Sequence, residues 1–133
     1  MSLQAFALDP RLDALQPKPV DGLIANYFDR AFLVFNLFID DPRACLAQSE
    51  AVFRVLDGRL AATEQDFYAV LVHRVRDLPE RHECFPGLEP DSVLCWLLKD
   101  STGMSYAEIA RLMRLERNEV ARHIADVRLA LLG

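Results

Sequence analysis

Apolar residues recur at three- and four-residue spacing along most of this chain, and prolines and glycines divide the pattern into short segments. Such spacing places apolar side chains on one face of a helix. No stretch shows the two-residue alternation typical of a half-buried strand, and the sequence has no internal repeat or low-complexity tract. The sequence therefore predicts an all-α protein built from short helices.

Three helices are predicted in the first part of the chain. Asp21 is the expected N-cap of the first, whose phenylalanine-rich sequence GLIANYFDRAFLVFNLFI predicts burial over most of its circumference. Asp41 and Pro42 are the expected cap and first residue of the second helix. Thr63, with Asp66 three residues later, is the expected cap of the third.

Capping and helix-ending residues in the C-terminal part predict three more helices. A helix that follows Pro90 is expected to stop near Gly103. Ser105 and Glu108 have the spacing of a capping box, in which the hydroxyl and the carboxylate each satisfy a free amide at a helix start. A turn at 114–117 is then expected to lead into a last helix. The inward residues predicted on that helix are Val120, Ile124, Val127 and Leu131.

These boundaries divide the 133 residues into four parts. An irregular lead-in, a helical domain, a proline-containing linker and a helix-turn-helix domain are expected at 1–20, 21–77, 78–89 and 90–133. A chain of this length can bury one sizeable core or two small ones. We therefore expect two small helical lobes.

The composition, 52% hydrophobic and 26% charged, is that of a globular protein. No window approaches the ~20 apolar residues that a membrane span needs, so we expect a cytoplasmic protein. The three cysteines, Cys45, Cys84 and Cys95, are widely spaced, which favours free thiols in a reducing compartment. Neither paired metal-ligand spacing nor a catalytic motif is found, so the sequence predicts no enzyme, metal site or cofactor.

Charge is distributed unevenly along the chain. The net charge of −5 disfavours indiscriminate binding to nucleic acid, because such binding depends on neutralising phosphates. Residues 1–102 contain 10 Lys/Arg and 16 Asp/Glu, whereas 103–133 contain 5 arginines and 4 acidic residues. The two parts therefore have net charges of −6 and +1, so basic surface is expected at the C-terminal end.

The stretch from Gly103 to Leu132, GMSYAEIARLMRLERNEVARHIADVRLALL, resembles the C-terminal helix-turn-helix domain of bacterial sigma factors, especially the small extracytoplasmic-function group. The preceding segment, LPERHECFPGLEPDSVLCWLLKD, resembles the sequence that leads into the helix-turn-helix in that family. LIANYFDRAFLVFNLFIDDPRACLAQSEAVFRVL is similar to the first two helices of such a factor's N-terminal domain, and DFYAVLVHRVRDL to the helix that follows. The resemblance is sharpest over the last thirty residues.

Sigma factors bind core RNA polymerase and bring it to promoters. The resemblance therefore implies promoter DNA as a partner, with core RNA polymerase or another transcription protein, and with an anti-sigma factor as a further partner. It implies that Arg122 reaches guanine edges and that Arg111 and Arg114 pair with phosphates. The DNA-binding residues it implies are Arg111, Arg114, Arg117, Asn118, Glu119, Arg122 and His123.

Several positions depart from the family's pattern. Arg114 stands where the family has a glycine in the turn, so the turn requires either an arginine at positive φ or an altered geometry. Leu46 and Ala47 replace an acidic pair that the family offers to the polymerase. Val70, Val72 and His73 lie near the positions where the family has the tryptophan and basic residues that it uses to open the DNA strands. Those residues are therefore missing at these positions of the chain.

Two other functions remain open. One is a sigma-shaped interaction adaptor or inhibitor without promoter activity, which the acidic charge and the departures favour. The other is a dimeric regulator related to the LuxR-type proteins, whose recognition helix shows the pattern of Val120, His123 and Ile124. The arginines of the last helix are also compatible with a solvated face balanced by its acidic residues.

Overall fold

The computed structural model describes residues 19–59, 62–79, 81 and 85–133, and all regular secondary structure in these ranges is helical. The prediction of an all-α protein is confirmed. In chain order the described helices are α1 (Pro19–Phe38), α2 (Pro42–Asp57), α3 (Glu64–Arg76), α4 (Pro90–Thr102), α5 (Tyr106–Met113) and α6 (Arg117–Leu132). Most of the predicted lead-in, together with His82 and Cys84 of the predicted linker, lies outside the described residues.

Local capping chemistry sets most of the helix starts. The Asp41 carboxylate accepts a hydrogen bond from the backbone amide of Arg43 at the start of α2. Thr63 and Asp66 form a reciprocal capping box at the start of α3. These contacts satisfy amides that have no partner within a helix, and they confirm the predicted caps.

The predicted start of α1 is wrong by a few residues. The helix begins at Pro19, so Asp21 lies in its first turn and is not its N-cap. A proline suits the first helical position because its φ is already helical and it has no amide to satisfy. Val20 is buried, so the extra residues also contribute to the core. The exposed face of α1 is wider than predicted and includes Leu33.

Aromatic side chains join the first three helices. Phe28 of α1 stacks on Phe53 of α2 with ring centroids 5.6 Å apart, and Phe53 stacks on Phe67 of α3 at 5.7 Å. Tyr27 lies 5.1 Å from the Phe67 ring. Large rings fill the space between helices and exclude much apolar surface from water, so this cluster holds the three helices together.

Helix α3 also connects these helices to the C-terminal group, in which α6 packs on α4 and α5. It contacts both α4 and α5, and one continuous cluster of buried apolar residues runs from α1 to α6. The Arg76 guanidinium binds both carboxylate oxygens of Asp91 at 3.0 and 3.1 Å, which ties the end of α3 to the start of α4. No helix in the described ranges is both long enough and apolar enough to cross a membrane.

Replacement of Phe67 by alanine is expected to destabilise the whole core. Phe67 is fully buried, and removing a buried phenylalanine ring typically costs about 3–5 kcal/mol. Because the core is continuous, urea unfolding should show one transition by far-UV circular dichroism and by fluorescence of Trp96 in α4. The substitution should lower the transition midpoint equally by both probes.

The matched control is Leu33→Ala at the exposed position on α1, which should change the free energy of unfolding by less than about 0.5 kcal/mol. Two separate transitions, of which only the one seen by circular dichroism responds to Phe67→Ala, would show that the C-terminal group folds independently.

Candidate nucleic-acid interface

The candidate site is built on the short-turn helix pair, by which we mean α5, α6 and the turn Arg114–Glu116 between them. Ser105 accepts a hydrogen bond from the amide of Glu108 at 3.1 Å, and the Glu108 carboxylate accepts one from the Ser105 amide at 3.3 Å. The predicted capping box is therefore present. Gly103, with φ of 73°, ends α4 and allows the chain to reverse into α5.

The turn is closed by an arginine in the left-handed region. Arg114 has φ of 57° and ψ of 48°, the only positive φ of a residue other than glycine within the described ranges. The amide of Leu115 donates to the carbonyl of Ala110 at 2.9 Å, which satisfies one of the last carbonyls of α5. Of the two alternatives left by the sequence, the structure therefore has an arginine at positive φ, a conformation that a Cβ atom makes unfavourable.

One face of α6 is buried against its neighbours. Val120, Ile124 and Val127 are essentially inaccessible, as the helical spacing predicts. Leu131 is also predicted to face inward, and that prediction is wrong, because its side chain is more than half exposed. Arg128 forms an ion pair with Asp100 near the last turn of α4, and the residues of α6 beyond it are exposed.

His123 is on the buried face and not on the DNA-facing surface where the resemblance placed it. Its side chain is only 2% exposed, and its Nδ1 lies 2.6 Å from the Ser92 hydroxyl of α4. A buried imidazole requires a polar partner, and Ser92, itself buried, supplies one. In this conformation His123 cannot contact DNA, so the structure removes it from the candidate DNA-facing set.

The opposite face of α6 is open to solvent and carries most of the remaining candidates. Arg117, Asn118 and Arg122 are exposed there, together with Ala121 and Ala125. Small alanine side chains beside an arginine leave room for a close approach to another surface, and alanine can contact a thymine methyl group. This face is the candidate groove-reading surface.

Glu119 is placed differently from its neighbours. Its carboxylate accepts a hydrogen bond from the Glu116 amide at 3.3 Å, at the start of α6. The negative charge there stabilises the helix start, where the macrodipole is positive. Glu119 therefore has a structural role in this conformation and is half-buried.

Four arginines of the predicted set keep their charge available. Arg111, Arg114, Arg117 and Arg122 are exposed, and the described residues provide none of them with a hydrogen bond or an ion pair. Arg128, in contrast, is neutralised by Asp100 at 2.8 Å. The structure thus separates one arginine that fastens α6 to α4 from four that face solvent.

Other positions singled out in the sequence offer little to a nucleic acid. Val70 and Val72 are buried in α3, and the exposed His73 is paired with Asp77 at 3.1 Å. None of them provides an aromatic platform for an unpaired base. In the described part of the chain, no group of three or more His, Cys, Asp or Glu side chains is placed to hold a metal ion.

Basic residues outside the short-turn helix pair were missed by the sequence reasoning. Arg59 and Arg74 lie on the N-terminal helical group, yet the fold brings them to a groove that Arg114 also lines. They carried no signal because they are far from Arg114 in the chain and lie within a segment of net negative charge.

Comparison of the chain with protein-family models, with curated proteins and with solved structures finds no match.

Arg114→Gly is expected to stabilise the protein by about 1 kcal/mol, because glycine adopts the left-handed conformation without a Cβ clash. The matched control, Arg111→Gly, removes the same side chain from a helical position in the last turn of α5 and should destabilise the protein by up to about 1 kcal/mol. Urea unfolding of the two variants measures both values. Equal destabilisation by both changes would contradict a left-handed residue 114.

Ser92→Ala is expected to destabilise the protein by about 1–3 kcal/mol, because it leaves a buried polar atom of His123 without its partner. Ser101→Ala, at an exposed position of the same helix, is the control and should have little effect. If thermal unfolding shows no difference between the two variants, the His123 ring is not held as the structure describes.

Proposed function

We propose that this protein is a sigma-factor-like transcription regulator that binds promoter DNA through the short-turn helix pair. The observation that carries the proposal is the division of α6 into two faces. One face is buried on α4, and the other presents Arg117, Asn118 and Arg122, which have no side-chain partner among the described residues. A helix presented in this way has the dimensions and chemistry that suit the major groove.

The roles of the side chains follow from their chemistry. The Arg122 guanidinium, which has no partner among the described residues, matches the O6 and N7 acceptors of guanine. Asn118, one turn earlier, matches the N6 and N7 positions of adenine. Arg111 and Arg114 belong to the helix and turn that precede α6, where a helix-turn-helix protein contacts the phosphate backbone. In this proposal α6 reads sequence while α5 and the turn position it.

The proposed partners follow the resemblance. Core RNA polymerase or another transcription protein would engage the acidic part of the chain, which has a net charge of −6 over residues 1–102. Because Leu46 and Ala47 are exposed on α2 where the family has an acidic pair, polymerase binding would need other contacts. An anti-sigma factor is a further proposed partner.

An interaction adaptor without promoter activity is the second candidate. The exposed apolar side chains of Leu33 on α1 and Leu46 on α2 favour it, because exposed apolar groups next to an acidic surface suit a protein partner better than phosphates. A dimeric regulator of the LuxR type is the third candidate. Its motif includes His123, which here is buried and hydrogen-bonded to Ser92.

The test begins with selection of bound duplexes from a random-sequence pool, followed by binding measurements on the selected duplex and on a scrambled one. Arg122→Ala should weaken binding to the selected duplex by about 1–3 kcal/mol, or roughly 5- to 150-fold, while binding to the scrambled duplex changes little. Arg54→Ala, an exposed arginine of α2, is the control.

Pull-down of core RNA polymerase with the same variants separates the candidates. Enrichment of specific duplexes together with polymerase binding supports the sigma-like regulator. Polymerase binding without any duplex selection favours the adaptor, and selection of two-fold symmetric duplexes without polymerase favours the dimeric regulator. Selection of no duplex and capture of no polymerase would contradict all three.

A further inference from the structure

A groove of about 420 Å³ lies between α3 and α5, next to the turn of the short-turn helix pair. Its lining includes the buried Val70 and Val72 together with Arg59, Arg74 and Arg114. His73 and Arg76 also line it, and among the described residues no acidic, Phe, Tyr or Trp side chain does. We call this surface the α3–α5 groove.

Not all of these cations are available to a ligand. Arg59 pairs with Asp66 at 3.0 Å, and Arg76 pairs with Asp91. Hydrogen bonds from Thr63, chiefly from its backbone amide, hold the pKa of Asp66 below its usual range, so that carboxylate stays ionised beside Arg59. Among the described residues, the arginines that line the groove without a carboxylate partner are therefore Arg74 and Arg114.

Arg74 is oriented for binding but is not neutralised. Its Nε–H donates to the side-chain oxygen of Gln48 on α2 at 2.9 Å, and Gln48 is uncharged. The described residues provide no partner for its two terminal nitrogens, which form the end of the guanidinium fork. A guanidinium held by one bond, with its fork free, loses little side-chain entropy when it binds a phosphate group in bidentate fashion.

Arg114 connects the groove to the proposed reading helix. It occupies the turn three residues before Arg117, the first residue of α6, and it lines the α3–α5 groove on one side. In a helix-turn-helix complex the helix that precedes the reading helix crosses the phosphate backbone. A strand that passes α5 in this way would therefore run beside Arg114 and toward Arg74.

We propose that the α3–α5 groove binds a backbone phosphate of the DNA that α6 reads, through the guanidinium groups of Arg74 and Arg114, an inference that rests on the proposed function. The N-terminal helical group then contributes directly to DNA affinity through α3. A backbone contact carries no sequence information, so it strengthens binding to every duplex equally. The described lining residues include no Phe, Tyr or Trp, and His73 is paired with Asp77, which fits a phosphate better than a nucleobase.

The test measures the salt dependence of DNA binding by the full chain. Binding to a labelled mixed-sequence duplex and to the selected duplex is measured by fluorescence anisotropy between roughly 50 and 200 mM salt, since the slope of log affinity against log salt reports the number of phosphates neutralised. Arg74→Gln should reduce that slope by about 0.9 on both duplexes, the amount expected for one phosphate contact. The ratio of the affinities for the selected and the mixed-sequence duplex should stay unchanged.

Two further variants guard against an effect on folding. Arg74→Lys keeps the charge and should retain most of the salt slope. Arg54→Gln removes an exposed charge of α2 that lies outside the groove, so it should leave the salt slope unchanged. Circular dichroism of each variant checks that the helices remain intact.

The outcomes separate this inference from the proposed function. If Arg122→Ala lowers selectivity but Arg74→Gln leaves the slope unchanged, DNA reading stands and the groove contact is wrong. If the wild-type protein binds neither duplex, both are wrong. If Arg74→Gln abolishes polymerase capture while the DNA slope stays constant, the groove serves an acidic protein surface and the phosphate assignment is overturned.

Discussion

The packing of α6 on α4 is the constraint on which the rest of the candidate site depends. Val120, Ile124 and Val127 bury one face of α6, and the hydrogen bond between His123 and Ser92 fixes how the helix is rotated about its axis. A buried polar pair tolerates little rotation, because an unmade hydrogen bond in the interior is costly. That rotation decides which arginines face solvent, so a buried serine and histidine determine the composition of the exposed surface.

Pairing of charges explains how an acidic chain can present a basic surface. Asp100 neutralises Arg128, Asp91 neutralises Arg76, and Asp66 neutralises Arg59, so these arginines fasten helices together. Arg74, Arg111, Arg114, Arg117 and Arg122 have no such carboxylate within the described residues. What matters for binding a polyanion is therefore the local arrangement of unpaired cations, and the net charge of the whole chain describes it poorly.

Local interactions could be predicted from the sequence, whereas contacts distant in sequence could not. The capping boxes at Ser105 and Thr63 depend on residues three positions apart, so their chemistry is visible in the sequence. The positive φ of Arg114 was one of two alternatives, since a turn of that length can be closed in more than one way. His123 was assigned to the wrong face because an imidazole suits both a DNA contact and a buried hydrogen bond, and Ser92 lies 31 residues away.

The sequence by itself determined the helical class, most of the helix boundaries and the inward face of α6 as far as Val127, because periodicity and capping are properties of neighbouring residues. Only the tertiary structure decided that one core joins all six described helices, that His123 points inward, and that Arg74 and Arg114 line the same groove. Those features depend on how helices pack over distances that no local pattern encodes. The surface proposed to meet DNA is therefore assembled by packing, from side chains whose chemistry the sequence had already supplied.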